Sequence, residues 1–150
     1  MTTQSRTPTL LTRLFPLAFL LATTPLFAEQ PISVSLTGAA EVPAVTTPAS
    51  GMVNINVLPN RSLSGSIDIK GMVPTMAHIH EGAVGKNGPP IVTLIRKDDN
   101  VFTVPPDTRF SEAQYTRYLA GDLYVNVHSL AHPNGEIRAQ LPGKPMRIAN

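Results

Sequence analysis

Short stretches in which apolar and polar residues alternate run through most of the sequence and limit the folds open to it. In one of them, Val53, Ile55 and Val57 alternate with two asparagines. The stretches with this pattern are 52–58, 63–70, 123–128 and 136–141. Because successive side chains of a strand point to opposite faces, such alternation predicts antiparallel strands with one buried face. Further strands are predicted at 33–38 and at 90–96, where the alternation is less regular.

Turn sequences rich in Gly, Pro and Asn separate these stretches, and one segment has a helical pattern instead. Ser111 and Gln114 form a capping-box sequence, and Gly121 suits a helix end. The sequence therefore predicts an all-β fold, an antiparallel Greek-key β-sandwich or barrel, with one short helix near 112–120.

The N-terminal segment, residues 1–28, has the layout of a secretory signal peptide. Arg6 and Arg13 precede an apolar run that starts at Leu14, and Ala28 is a small residue at the expected cleavage point. The apolar run is shorter than the ~20 residues that a membrane-spanning helix needs, which disfavours the alternative of an uncleaved anchor. We therefore expect a periplasmic or secreted protein in which 29–150 form one domain, without a membrane span after cleavage.

Charge and cysteine content exclude several kinds of function. The whole chain has 12 basic and 10 acidic residues, but without 1–28 the basic residues number 10, so the net charge falls from +2 to 0. No basic cluster with interleaved aromatic residues remains, so no nucleic-acid partner is expected. There is no cysteine, so disulfides, thiolate catalysis and cysteine-based metal sites are excluded.

The stretch "HIHEG", which begins at His78, is the first candidate for chemistry. His78 and His80 are two residues apart, so on a strand both imidazoles point to one side. His128 ends another alternating stretch on its polar face, and His132 follows in the next turn. A site of His78, His80 and His128, completed or lined by His132 or by Glu81, suits zinc or copper and not calcium or magnesium.

Two other interpretations of these histidines stay open at this stage. They could be polar residues that only hydrogen-bond a neighbouring loop, or they could form a polar binding site without metal. Met72 and Met76 lie just upstream, and thioethers favour Cu(I), although methionine most often fills gaps in a core. Glu136 and Arg138 are also two apart on a predicted strand, which favours an ion pair over a catalytic role.

Three stretches, taken together, resemble the CHRD domain, which is named for its occurrence in chordin and also occurs alone in secreted microbial proteins. They are "LTGAAEVPAVTTPASG", "HIHEGAVGKNGPPIVTL" and "LAGDLYVNVHSLAHPNGEIRAQL", in the order typical of the family, and the resemblance covers about 33–141. Ala44 and Ala139 replace the family's usual proline and glycine. The resemblance implies an immunoglobulin-like or superoxide-dismutase-like antiparallel β fold. It also implies that the motif positions His78, His80 and His128 act together.

These observations favour a binding module whose ligand is a small ion or an unidentified protein, with a site for copper or zinc at His78, His80, His128 and His132. One alternative is a metalloenzyme, either of dismutase type with Arg138 as a guiding cation or of hydrolytic type with Glu81 or Glu136 as the base. The other alternative is a metal-free envelope or adhesion module.

Overall fold

The computed structural model describes residues 31–143, which form one antiparallel sheet and one short helix. The strands are β1 (Ile32–Thr37), β2 (Ser50–Val57), β3 (Leu63–Lys70), β4 (Met76–Glu81), β5 (Pro90–Thr93), β6 (Ile95–Asp98), β7 (Val101–Thr103), β8 (Leu123–His128) and β9 (Ile137–Gln140). The helix is α1 (Glu112–Ala120), and a single 3-10 turn follows β1 at Gly38–Ala40. The predicted fold class is confirmed. The predicted signal peptide, 1–28, lies outside the described residues.

The nine strands follow the order β5-β4-β8-β9-β1-β2-β3-β7-β6 across the sheet. The two edge strands, β5 and β6, are consecutive in the chain and are joined by Leu94 alone. The edges therefore lie next to each other, and the sheet is a nearly closed barrel. The prediction of a single strand at 90–96 is therefore wrong, because this segment forms two strands that divide at Leu94. The Leu94 N–H donates a hydrogen bond to the Ala77 carbonyl at 2.9 Å.

The helix has the ends that its sequence predicts. The Ser111 hydroxyl accepts a hydrogen bond from the Gln114 amide, and the Gln114 side chain accepts one from the Ser111 amide. Gly121 ends the helix with φ of 79°, a left-handed conformation that favours glycine. Within residues 31–143 no helix has the length and apolar character needed to cross a membrane.

The inner faces of the strands form the hydrophobic core, as the alternation predicts. Its fully buried members include Leu36, Val53, Ile55, Ile67, Ile79, Val125, Val127 and Ile137. The outer face of β8 differs from the expectation, because all six of its residues are buried. Loop 82–90 and loop 129–136 cover this face and hydrogen-bond to its side chains. A sheltered polar layer therefore lies outside the barrel, over β4, β8 and β9.

Candidate metal centre

The pairing of β4 with β8 places the candidate ligands on one side of the sheet. Across this antiparallel pair, Met76 is opposite His128, His78 is opposite Asn126, and His80 is opposite Tyr124. The intervening residues of β4, Ala77 and Ile79, are fully buried in the core. His78 and His80 therefore point outward together, and His128 is the diagonal neighbour of His78 on the next strand.

The imidazoles of His78, His80 and His128 converge, with one ring nitrogen from each lying within 4.8 Å of the others. His78 Nδ1 is 3.0 Å from His128 Nε2. The ring centroids of His78 and His80 are 5.5 Å apart, and those of His80 and His128 are 6.4 Å apart. Because zinc–nitrogen bonds are about 2 Å long, nitrogens at these separations need only small side-chain adjustments to bind one ion.

Backbone carbonyls fix which nitrogen of two of the rings carries the proton. His80 Nδ1 is 2.8 Å from the Gly88 carbonyl oxygen, and His128 Nδ1 is 2.9 Å from the Pro133 carbonyl oxygen. Since a carbonyl oxygen only accepts, both Nδ1 atoms donate, and both Nε2 atoms of the neutral rings are unprotonated acceptors. His128 Nε2 faces His78 Nδ1, whereas His80 Nε2 has no partner among the described residues. A hydrogen bond from the second ring nitrogen to a backbone carbonyl is the usual support of a metal-binding histidine.

The lone pair of His80 is the clearest indication that this group fits a cation. His80 is 9 % exposed, and its Nε2 is buried without a hydrogen-bond partner among the described residues. A buried acceptor without a partner costs about 1–3 kcal/mol. A metal ion bound by Nε2 would remove that cost, and three imidazole nitrogens are a donor set that suits zinc or copper.

The pKa values favour neutral rings. Burial lowers the pKa of His78, and the nearby His128 and His80 lower it further. Burial also lowers the pKa of His80, although its hydrogen bond to Gly88 and the nearby Asn126 side chain act in the opposite direction. Two of the three rings are therefore held in the unprotonated form that metal binding requires.

A second layer of side chains supports His80. The Tyr124 ring is stacked on the His80 ring, with centroids 4.8 Å apart and planes at 12°. The Arg138 guanidinium carbon lies 3.3 Å from the centroid of the Tyr124 ring. Arg138 donates to the Lys86 carbonyl at 2.7 Å and to Asn87 Oδ1 at 3.0 Å, so it also fastens loop 82–90. The Tyr124 hydroxyl accepts from the Gly88 amide at 3.1 Å, which holds the carbonyl that orients His80.

Three expectations about charged neighbours need correction. Glu136 and Arg138 do not form an ion pair: Thr47 donates to Glu136 at 2.5 Å, whereas Arg138 binds the loop. Arg138 is 2 % exposed, which does not suit a guiding cation at a site entrance. Glu81 does not line the group, since it forms an ion pair with Arg117 at 3.3 Å.

His132, the fourth predicted ligand, is not in the group formed by the other three histidines. Its carbonyl accepts hydrogen bonds from the Ser129 and Gly135 amides within loop 129–136. Burial acts to raise the pKa of Glu136, but hydrogen bonds from Ser129 and Thr47, together with the electrostatic effect of His132, lower it. The structure thus brings together three of the four predicted ligands and places His132 beside Glu136.

Sequence reasoning gave no role to Glu41 or Asn126, which are both buried in the polar layer. Neither Glu41 Oε1 nor Asn126 Oδ1 has a hydrogen-bond partner among the described residues. Burial raises the pKa of Glu41 to about 7, against the opposing effect of Arg138. Gly135, with φ of 130°, allows the close packing here, because a Cβ at that position would lie 2.6 Å from Glu41 Oε1.

Comparison with known proteins gave one result. The family model described as the CHRD domain matches residues 32–141. Neither the curated proteins nor the solved structures gave a match. The matched segment runs from the first residue of β1 to just beyond β9 and includes the three histidines.

Proposed function

The chain belongs to the CHRD domain family, and we propose that it is a secreted or periplasmic metal-binding module in which His78, His80 and His128 hold one copper or zinc ion. The observation that carries the proposal is the convergence of three histidines, with one ring nitrogen of each within 4.8 Å of the others, together with the buried Nε2 of His80, which has no partner among the described residues. The carbonyls of Gly88 and Pro133 support it further, because they hold two of the rings with Nε2 unprotonated.

The type of ligand determines the class of metal. The three histidines offer nitrogen donors only, and the two glutamates considered as a ligand or a base, Glu81 and Glu136, are engaged with Arg117 and Thr47. Calcium and magnesium prefer oxygen ligands, whereas imidazole suits zinc and copper. The site therefore takes a borderline or soft transition metal.

A binding role fits the surroundings of the site better than an enzymatic role does. Hydrolysis at a bound metal needs a general base near the water, and neither Glu81 nor Glu136 is placed for that. Electrostatic guidance of a small anion needs an accessible cation, and Arg138 is buried under loop 82–90. Export rests on the sequence of residues 1–28, with a basic start, a short apolar run and Ala28 at the end.

Calorimetric titration of the metal-free protein with zinc and with Cu(II) tests this function. We expect one ion to bind per chain, and we expect the triple variant His78→Ala/His80→Ala/His128→Ala to lose binding at micromolar metal. His132→Ala is the matched control, because it removes an imidazole outside the group, and its affinity should equal that of the wild type. Absence of binding by the wild type would reject the proposal.

A further inference from the structure

Met76 is a further side chain at this end of the β4–β8 pair that offers a metal donor. It lies two residues before His78 on β4, so its side chain leaves the sheet on the same side as the imidazoles of His78 and His80. In the register of the pair it is directly opposite His128. Side chains directly opposite one another have Cβ atoms about 4.5–5.5 Å apart, and those two apart on one strand are the next nearest neighbours.

The two methionines of this region differ in what surrounds them. Met72 is partly buried and packs against the hydrophobic core. Met76 is 48 % exposed, and its neighbour Ala77 occupies the core side of the strand. The common role of methionine, filling a gap in a core, therefore applies to Met72 and not to Met76.

Three nitrogens leave one position of a four-coordinate ion to be filled. One ring nitrogen of His78 and one of His128 are 3.0 Å apart. Met76 is a neighbour of both residues, because it lies two positions before His78 on β4 and directly opposite His128 on β8. A methionine has three rotatable bonds beyond Cα, so its sulfur can reach an ion held between these two neighbours. A thioether is a soft ligand that selects Cu(I) over zinc.

We propose that Met76 supplies the fourth ligand through its sulfur and that the site thereby takes Cu(I), held by three imidazole nitrogens and one thioether. The inference rests on the proposed function, since it adds a ligand and a metal preference to the same site. No electron is transferred in this step, because copper enters and remains as Cu(I).

Binding requires one change in the histidines. In the metal-free site His128 Nε2 accepts the hydrogen bond of His78 Nδ1, since His128 Nδ1 already donates to Pro133. When His78 Nδ1 binds the ion, its proton moves to Nε2 of the same ring, and His128 Nε2 is free to bind. The ring of His78 stays neutral, so this rearrangement releases no proton.

The test is a competition titration of the purified full chain with Cu(I) under anaerobic conditions, against a chromophoric Cu(I) chelator, and a parallel titration with zinc. Met76→Leu keeps the size and apolar character of the side chain and removes the sulfur. We expect it to weaken Cu(I) binding by about tenfold or more and to leave zinc binding nearly unchanged. Met72→Leu is the matched control, and both affinities should stay at the wild-type value.

X-ray absorption at the copper edge gives a second readout that is independent of affinity. The wild type loaded with Cu(I) should show a sulfur neighbour as well as nitrogens, and Met76→Leu should show nitrogens alone. Unchanged Cu(I) affinity in Met76→Leu, or no sulfur neighbour in the wild type, would overturn this inference and leave the three-histidine site intact. Failure of the wild type to bind either Cu(I) or zinc would overturn the proposed function as well. Because Met76 is exposed, the variant should fold, and its circular dichroism spectrum will verify that.

Discussion

The ring of His80 lies flat on the ring of Tyr124, with centroids 4.8 Å apart and planes at 12°. Arg138 covers the same tyrosine, with its guanidinium carbon 3.3 Å from the ring centroid, and binds loop 82–90 by two hydrogen bonds. The loop in turn presents the Gly88 carbonyl to His80 Nδ1. Arg138, a buried cation, thus holds loop 82–90 in place and thereby helps to position His80, a candidate metal ligand.

Arg138→Met should therefore reduce both stability and metal affinity. The variant leaves the Lys86 carbonyl and the Asn87 side chain without their donor, and we expect a loss of about 2–4 kcal/mol in the free energy of unfolding. Loss of this support should weaken metal binding by roughly 10- to 100-fold. Urea unfolding of the metal-free protein and a zinc titration measure the two effects.

Arg117→Met is the control for that prediction. Arg117 pairs with Glu81 and Asp122, but its side chain is 56 % exposed, so its removal should change stability by less than about 1 kcal/mol. Equal effects of the two arginine substitutions would show that Arg138 has no special supporting role.

Gly88→Ala should disturb the site through the backbone. A Cβ at Gly88 would lie 1.6 Å from the Glu81 carbonyl oxygen, so the loop has to move and the carbonyl that orients His80 moves with it. We expect a large loss of stability, above about 2 kcal/mol, together with weaker metal binding. Thermal unfolding with and without zinc measures both quantities.

Gly85 provides the comparison within the same loop. Its φ of 74° strains any other residue, but a Cβ there would meet no atom within 4 Å. Gly85→Ala should cost about 1 kcal/mol and leave the zinc affinity unchanged. A drop in zinc affinity as large as that of Gly88→Ala would contradict the proposed role of the Gly88 carbonyl.

Glu41 should make the stability of the protein depend on pH between its ordinary and its folded pKa. Burial raises this pKa from 4.5 to about 7, so in that range the folded state binds more protons than the unfolded state. The free energy of unfolding must then fall as the pH rises, by on the order of 2–3 kcal/mol over the whole range. In Glu41→Gln this contribution should be absent.

The comparison of wild type with Glu41→Gln also removes the contribution of the histidines. The pKa values of His78 and His80 are lowered, so their contribution to stability has the opposite sign and is lost as the pH falls below about 6.5. Subtracting the two urea-unfolding series at each pH isolates Glu41. A difference that does not vary between pH 4.5 and 7 would show that Glu41 titrates normally.

Much of this arrangement was predictable from the sequence, because it depends on local patterns. Their spacing of two predicted that His78 and His80 would share one side of a strand, alternation placed His128 on the polar face of another strand, and the structure agrees with both. The helix at 112–120 was predictable because Ser111, Gln114 and Gly121 act within a few residues of one another. The match to the CHRD family model confirms the resemblance that the separated motifs indicated.

The rest depends on long-range packing that alternation does not encode. A polar strand face is expected to meet solvent, yet Tyr124, Asn126 and His128 are covered by loops from other parts of the chain. The covering loops also explain why the predicted ion pair between Glu136 and Arg138 was wrong. The hydrogen-bond partners of Arg138 lie in loop 82–90, about fifty residues away in the sequence, and not on its own strand. The available signal was loop 82–90 itself, where Gly82 allows a close approach to β8 and Gly88 a close approach to β4.

The central claim, that three histidines bind one ion through specified nitrogens, can be measured directly by nitrogen-15 NMR of the imidazole rings. One equivalent of zinc should shift His78 Nδ1, His80 Nε2 and His128 Nε2 to the values of metal-bound nitrogens, while His132 keeps its metal-free spectrum. The claim would be contradicted if zinc shifted His132, or if any of those three nitrogens kept its metal-free position at saturating zinc.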